Sequence, residues 1–169
     1  SNNTAIGTSS LSANTTGADG VAIGFESLKD NTTGANNVGI GYRALNHNTT
    51  AGNNIAIGFE ALTTNVTGTA NVGVGFQALK TSTGSNNTAI GDQAMEFTTT
   101  GASNVAVGKS ALGANTTASD CVAIGKNALT ANTTARDNIA VGTNTLDANT
   151  TGIQNVAVGS NALGGNTTA

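Results

Sequence analysis

Short apolar triplets recur along the chain at a nearly constant interval, and each one ends in glycine: Val21-Ala22-Ile23-Gly24, Val38-Gly39-Ile40-Gly41, Ile55-Ala56-Ile57-Gly58. Between them lie polar stretches dominated by Asn-Thr-Thr-Gly. The full unit reads Asn-Val-Ala-Ile-Gly-x-x-Ala-Leu-x-x-Asn-Thr-Thr-Gly-x-x. Ten copies begin at Asn3, Gly20, Asn37, Asn54, Asn71, Asn87, Asn104, Cys121, Asn138 and Asn155. The spacing is 17 residues except from Asn71 to Asn87, where it is 16; the missing residue falls near Thr81-Ser82-Thr83. Such self-similarity marks a repeat architecture, in which one unit buries its apolar residues only against its neighbours.

Each column of the repeat carries its own constraint. Position five is Gly in every copy, among them Gly24, Gly41, Gly58 and Gly75, so it needs either a positive φ or room that a Cβ would fill. Position four is Ile or Val (Ile23, Ile40, Ile57), and position nine is Leu (Leu28, Leu45, Leu62) except for Met95. Position three is only Ala or Gly. Positions two to four form a β-branched run that reads as a strand. Positions two and four share its apolar face, and position three points the other way. Because that second face is small rather than polar, both faces are expected to be covered, the second at short distance. Positions six to ten predict a second short strand, with position eight and Leu at nine on opposite faces. Asn-Thr-Thr-Gly predicts a polar turn.

Stacking the copies pairs their strand edges about 4.8 Å apart and gives a rod on the order of 50 Å long. The expected fold is therefore all-β: a parallel β-roll or β-solenoid of ten coils of about 17 residues, a single repeat domain over 1–169. An α-helical solenoid would need a repeat of roughly 30 residues or more. Ser1 opens inside repeat-like sequence and the last copy carries no cap, so the chain reads as a piece of a longer fibre.

The half-unit Asn-Val-Ala-Ile-Gly-x-x-Ala-Leu, seen at Asn104 to Leu112 and with close variants in every copy, resembles the head repeats of trimeric autotransporter adhesins of the YadA type. Similar repeats look to be present in phage and other bacterial fibre proteins. The turn half departs, because the family's repeat is typically somewhat shorter; the extra residues fall around Asn-Thr-Thr-Gly. The resemblance implies a left-handed parallel β-roll in a side-by-side homotrimer. Which strand face would turn toward the other chains stays open at this point.

Composition narrows the function classes. Charged residues make up 9% of the chain, against roughly 25% in ordinary soluble domains, and aromatic residues 3%, with no Trp and no Pro. The net charge is −3 and the six basic residues are scattered, which argues against nucleic-acid binding. No apolar run approaches the ~20 residues of a membrane span, so no direct membrane insertion is expected. The single cysteine, Cys121, permits no intrachain disulfide framework and reads as a tolerated substitution in the Asn column.

Candidate chemistry is sparse. His47, the only histidine, reads as a solvated turn residue. Asp19, Asp120 and Asp137 share the column before the strand and read as turn caps, with a bound cation as the rival. Neither a catalytic constellation nor a calcium-roll or phosphate-loop motif occurs, so no enzyme, cofactor or metal is expected. The seven asparagines that open an Asn-Thr-Thr turn, Asn14 to Asn166, each satisfy Asn-x-Thr, read as a turn preference rather than glycan acceptors. The most informative column is six, which holds Phe25, Tyr42, Phe59 and Phe76 in consecutive copies. It predicts an aromatic ladder that is either core or inter-chain packing, or an exposed surface-binding strip for sugar rings or a host surface. The expected function is a structural and adhesive segment of an extracellular fibre, on a bacterial surface or a virion. Such a fibre would be homotrimeric and would contact a glycan or protein receptor multivalently. The rival reading is a self-contained monomeric solenoid, such as an ice-binding one.

Overall fold

The computed structural model describes residues 2–168. Ten three-residue strands run from β1 (Thr4–Ile6) through β2 (Val21–Ile23), β3 (Val38–Ile40), β4 (Ile55–Ile57), β5 (Val72–Val74), β6 (Thr88–Ile90), β7 (Val105–Val107), β8 (Val122–Ile124) and β9 (Ile139–Val141) to β10 (Val156–Val158). They form one parallel sheet in sequence order, with like residues paired: Val21 with Val38, Ala22 with Gly39, Ile23 with Ile40. The shortened copy keeps this register, since Val72 pairs with Thr88 and Val74 with Ile90. The chain is thus a parallel β-solenoid of about 17 residues per coil, as its spacing predicts.

The predicted second strand is absent. Positions five to eleven instead form a succession of turns whose amides still bond from coil to coil: Glu26 N to Thr8 O at 2.9 Å, Leu28 N to Ala44 O at 3.0 Å. The cause is backbone conformation. Positions seven, nine and seventeen take a left-handed φ between +49° and +62° in coil after coil, on residues such as Glu26, Leu28 and Asn36. Two left-handed residues so close together break the alternation of an extended strand. They turn positions eight and nine toward the same side, so Ala44 and Leu45 are both fully buried rather than on opposite faces.

The interior is therefore lined by the small column of the strand (Ala22, Ala56, Ala89, Ala106), the Ala column at position eight and the Leu column at position nine. A coil this narrow admits only Ala or Gly at position three. An added Cβ at Gly39 would stand 2.6 Å from Ser27 Oγ. At the corner, Gly24 has φ +129° and a Cβ there would run into the Gly41 carbonyl of the next coil. Both requirements foreseen for position five thus hold together.

The Asn-Thr-Thr segment does bend the chain, but its asparagine is core. Asn31, Asn48, Asn65, Asn115, Asn132 and Asn149 are buried, as is a second asparagine column at position one. The two columns converge on one carbonyl: Ala51 O accepts from Asn48 Nδ2 at 2.9 Å and from Asn37 Nδ2 at 2.8 Å. Along the rod many of the asparagines also bond the neighbour one coil away. Asn48 Nδ2 donates to Asn31 Oδ1 at 2.8 Å, and the Asn54 amide donates to Asn37 Oδ1 at 3.0 Å. Asn31, Asn48, Asn115, Asn132 and Asn149 are closed to a glycosylating enzyme in the folded chain for the same reason.

No residue at the left-handed positions is Val, Ile or Thr, although those types abound elsewhere. A β-branched side chain clashes with the backbone there. Leu62→Ile keeps the volume and the burial but forces branching at φ +50°. It is expected to lower stability by about 1–3 kcal/mol, whereas Leu62→Met, which has a precedent in Met95, should cost less than about 1.5 kcal/mol. Chemical denaturation of the two variants side by side checks this; equal losses would refute the conformational account.

Candidate functional site

With Ala and Gly turned inward, the Val and Ile of positions two and four form the outer face of the sheet. They are partly exposed along the rod: Ile57 is 37% and Ile90 41% exposed. The expectation that both strand faces are covered is thus met on one side only within this single chain. Column six exposes as well, two residues on from the Ile column and across the glycine corner.

Phe25, Tyr42, Phe59 and Phe76 stack in this column, with ring centroids 5.3, 5.0 and 5.3 Å apart and planes within 13° of parallel. All four lie on the outside, 37–48% exposed. Successive coils place the rings almost one above another, so both faces of Tyr42 and Phe59 are covered by neighbouring rings. What these residues turn outward is ring edge. A sugar ring lying flat on an aromatic face finds no such face in the middle of the ladder. The Arg43 guanidinium carbon stands 5.1 Å from the Tyr42 ring centre, a cation–π distance.

Beside the ladder runs a column of charges neutralised within the chain. Glu26 receives Arg43 Nε at 2.8 Å and Lys29 Nζ at 3.1 Å. Glu60 receives Gln77 Nε2 at 2.9 Å and Lys80 Nζ at 3.0 Å. The Lys29 contact, and after it the Arg43 contact, hold the Glu26 carboxyl below its ordinary range; Gln77 and then Lys80 do the same for Glu60. Glu26 in turn pushes the Arg43 guanidinium up.

The remaining candidates take structural positions. His47, expected alone in a solvated turn, is exposed but paired, its Nδ1 2.8 Å from Asp30 Oδ2 one coil away. Cys121 is buried in the asparagine column, where its thiol donates to Ala135 O at 3.4 Å, the bond an asparagine would make. Burial pushes the thiol pKa up. Asp19, Asp120 and Asp137 all sit at left-handed turn positions. Among the described residues no group of three or more His, Cys, Asp or Glu side chains is placed to hold a metal ion. Gly24, Gly41, Gly58 and Gly75 turn the corners, Leu28, Leu45 and Leu62 fill the core, and Ile23, Ile40 and Ile57 face outward. No protein family, curated protein or solved structure matches the chain.

The depressed carboxyls carry a pH signature. A lowered native pKa stabilises the fold fully above the ordinary glutamate value of about 4.3, and that contribution is lost as the pH falls through the lowered value. The thermal midpoint of the unaltered chain is expected to fall as acid is added below that value. In the Glu26→Gln, Glu60→Gln double variant the same titration should be flatter, and parallel titrations would reject this assignment.

Proposed function

We propose that this chain is a structural and adhesive rod segment of a homotrimeric attachment fibre, working outside the cell on a bacterial surface or a virion. One observation carries the reading: an outer face of Val and Ile, broken only by Thr4 and Thr88, along the ten strands of a sheet whose other side is already filled. Contiguous exposed apolar surface of this extent marks an interaction site. The likeness of the Asn-Val-Ala-Ile-Gly-x-x-Ala-Leu half-unit to YadA-type head repeats supports side-by-side copies of the same chain as the partner. Flat strands on a common 4.8 Å spacing suit such packing.

In this reading three rods close their Val and Ile faces on one axis and leave the bends outward. The exposed threonines of the bends, Thr33, Thr50 and Thr117 among them, recur once per coil and repeat any weak contact with a glycan or protein receptor many times over. No step of bond chemistry is assigned to the chain. The same threonine column favours a second reading, a self-contained ice-binding solenoid. Its drawback is that the preceding column is engaged: Thr32 Oγ1 donates to Thr49 O at 3.1 Å, and Thr116 Oγ1 to Thr133 O at 3.0 Å.

Sedimentation equilibrium decides between them. A particle of three times the 16.4 kDa chain mass is expected. A stable monomer that depresses the freezing point below the melting point of ice would overturn the fibre reading in favour of the second.

A further inference from the structure

On the bend side, successive coils are joined by two kinds of bond. One is an asparagine link, in which the bend asparagine bonds its counterpart one coil away: Asn31 to Asn14, Asn48 to Asn31, Asn65 to Asn48, Asn149 to Asn132. The other is a backbone link. Amides that follow the bend asparagine converge on the position-thirteen carbonyl of the next coil. Thr32 and Thr33 reach Thr49 O at 2.8 and 3.2 Å, and Thr116 and Thr117 reach Thr133 O at 2.9 and 3.2 Å.

With the coils numbered in chain order, the contact between coils four and five is the one, among the described residues, that has neither link. The bend column of coil five holds Ser82, whose hydroxyl is buried without a partner. Asn65 Oδ1 therefore takes up only the Gly68 amide of its own coil. Coil five also lacks position fourteen. Among the described residues, the amides of Val66 and Thr67 bond no carbonyl of coil five. Val66 has no hydroxyl to make the bond that Thr32 Oγ1 makes to Thr49 O at 3.1 Å. Elsewhere the loss of one link leaves the other. Between coils five and six the asparagine link is gone, yet the Thr83 and Gly84 amides reach Thr99 O at 2.7 and 3.1 Å. Between coils eight and nine the backbone link is gone, yet Asn149 holds Asn132.

We propose that this contact is a joint: in the folded rod the bends of coils four and five part from each other while the strand side stays closed. The strand side keeps its full set of bonds there. Ile55 pairs with Val72 and Ile57 with Val74, and the Phe59 and Phe76 rings stack at 5.3 Å. Parting the bends gives the Ser82 hydroxyl access to water, which relieves the cost of burying it unpaired. At every other bend-side contact at least one link must break first, and local opening occurs where its cost is lowest. The joint separates two runs of exposed bend threonines, Thr33 and Thr50 above it and Thr117 and Thr134 below. In an adhesive rod, a tilt at this point lets the two runs meet a surface that is not straight. That use rests on the adhesive reading above; the joint itself belongs to a single chain.

The amide at position eleven gives the same probe in successive coils. It bonds the position-ten carbonyl of the next coil at 3.0 Å from Asp30 and His47, and at 3.1 Å from Thr64, Ala114 and Ala131. Hydrogen exchange of the unaltered chain, resolved by residue with NMR, is expected to give Thr64 a protection factor about tenfold below those of the other four. Gly75 and Gly108, whose amides each reach the preceding strand at 2.8 Å, should be equally protected. Ser82→Asn with one threonine inserted after Thr83 restores the asparagine and the full coil length, and should raise Thr64 to the level of Ala114. If that variant fails to fold, Ser82→Asn alone decides, with a partial rise expected. Equal protection of Thr64 and Ala114 in the unaltered chain overturns the joint. So does a low Thr64 value that the repair leaves unchanged. A Gly75 value as low as that of Thr64 also overturns it, because the whole contact would then be opening. The same pattern is expected in a monomer and in a trimer, so the particle mass tests the fibre reading alone.

Discussion

At the fifteenth position of each coil the chain turns inward, and its carbonyl oxygen faces a space that water does not reach. A buried carbonyl without a partner costs on the order of 1–3 kcal/mol, and here the problem recurs in every coil. The two asparagine columns are the answer. In most coils a side-chain amide from the bend and another from the start of the strand converge on that oxygen. Many of the oxygens of those amides in turn take up a backbone amide, within the coil or one coil on, or the side-chain amide of the next asparagine. Two sets of side-chain hydrogen bonds thus link successive coils beside the backbone ladder, with breaks where the columns hold other residues, as at Ser82. The strand, the glycine corner and the outer face all depend on coils held in register this way. Where Cys121 replaces the asparagine, its thiol still points at the corresponding carbonyl, whereas the buried Ser82 hydroxyl in the bend column finds no partner.

The narrow coil also inverts the usual distribution of side chains. Branched residues suit strands, yet the interior is filled mainly by Ala, Gly, Asn and one Leu or Met per coil, with Ser, Thr or Cys at a few positions. Val and Ile are left on the outside, where an isolated chain has nothing to cover them. The left-handed residues at positions seven and nine create this arrangement by folding the second half of the coil back over the small face of the strand. The apolar outer face is thus a product of the folding geometry and supplies the surface from which an assembly can be built.

Much of this was legible in the sequence. The ten copies, the parallel stacking, the strand at positions two to four and the glycine corner followed from columns that hardly vary. The second strand was misread because alternation of Ala44 and Leu45 looks like a strand when only hydrophobicity is followed. The contrary signal was present: positions seven, nine and seventeen never hold Val, Ile or Thr in a chain rich in all three. The role of Asn48 was hidden for another reason. Asparagine before Thr-Thr-Gly has a ready local explanation as a turn former, and only the packed coil shows the carbonyl it serves. For the aromatic column, sequence gave its height and extent. Whether the rings offered faces or edges depended on their stacking distance.

The hydrogen bonds of this sheet lie along the rod rather than across it. A pull on the two ends of the chain therefore loads the coils one after another, each held to the next by a similar set of backbone and asparagine bonds. When one coil yields, it pays out roughly 55–60 Å of extended chain in exchange for a rise of about 4.8 Å. Its neighbours stay closed until the slack is taken up. A rod built this way lengthens in equal steps at nearly equal force, and under tension it behaves as a spool.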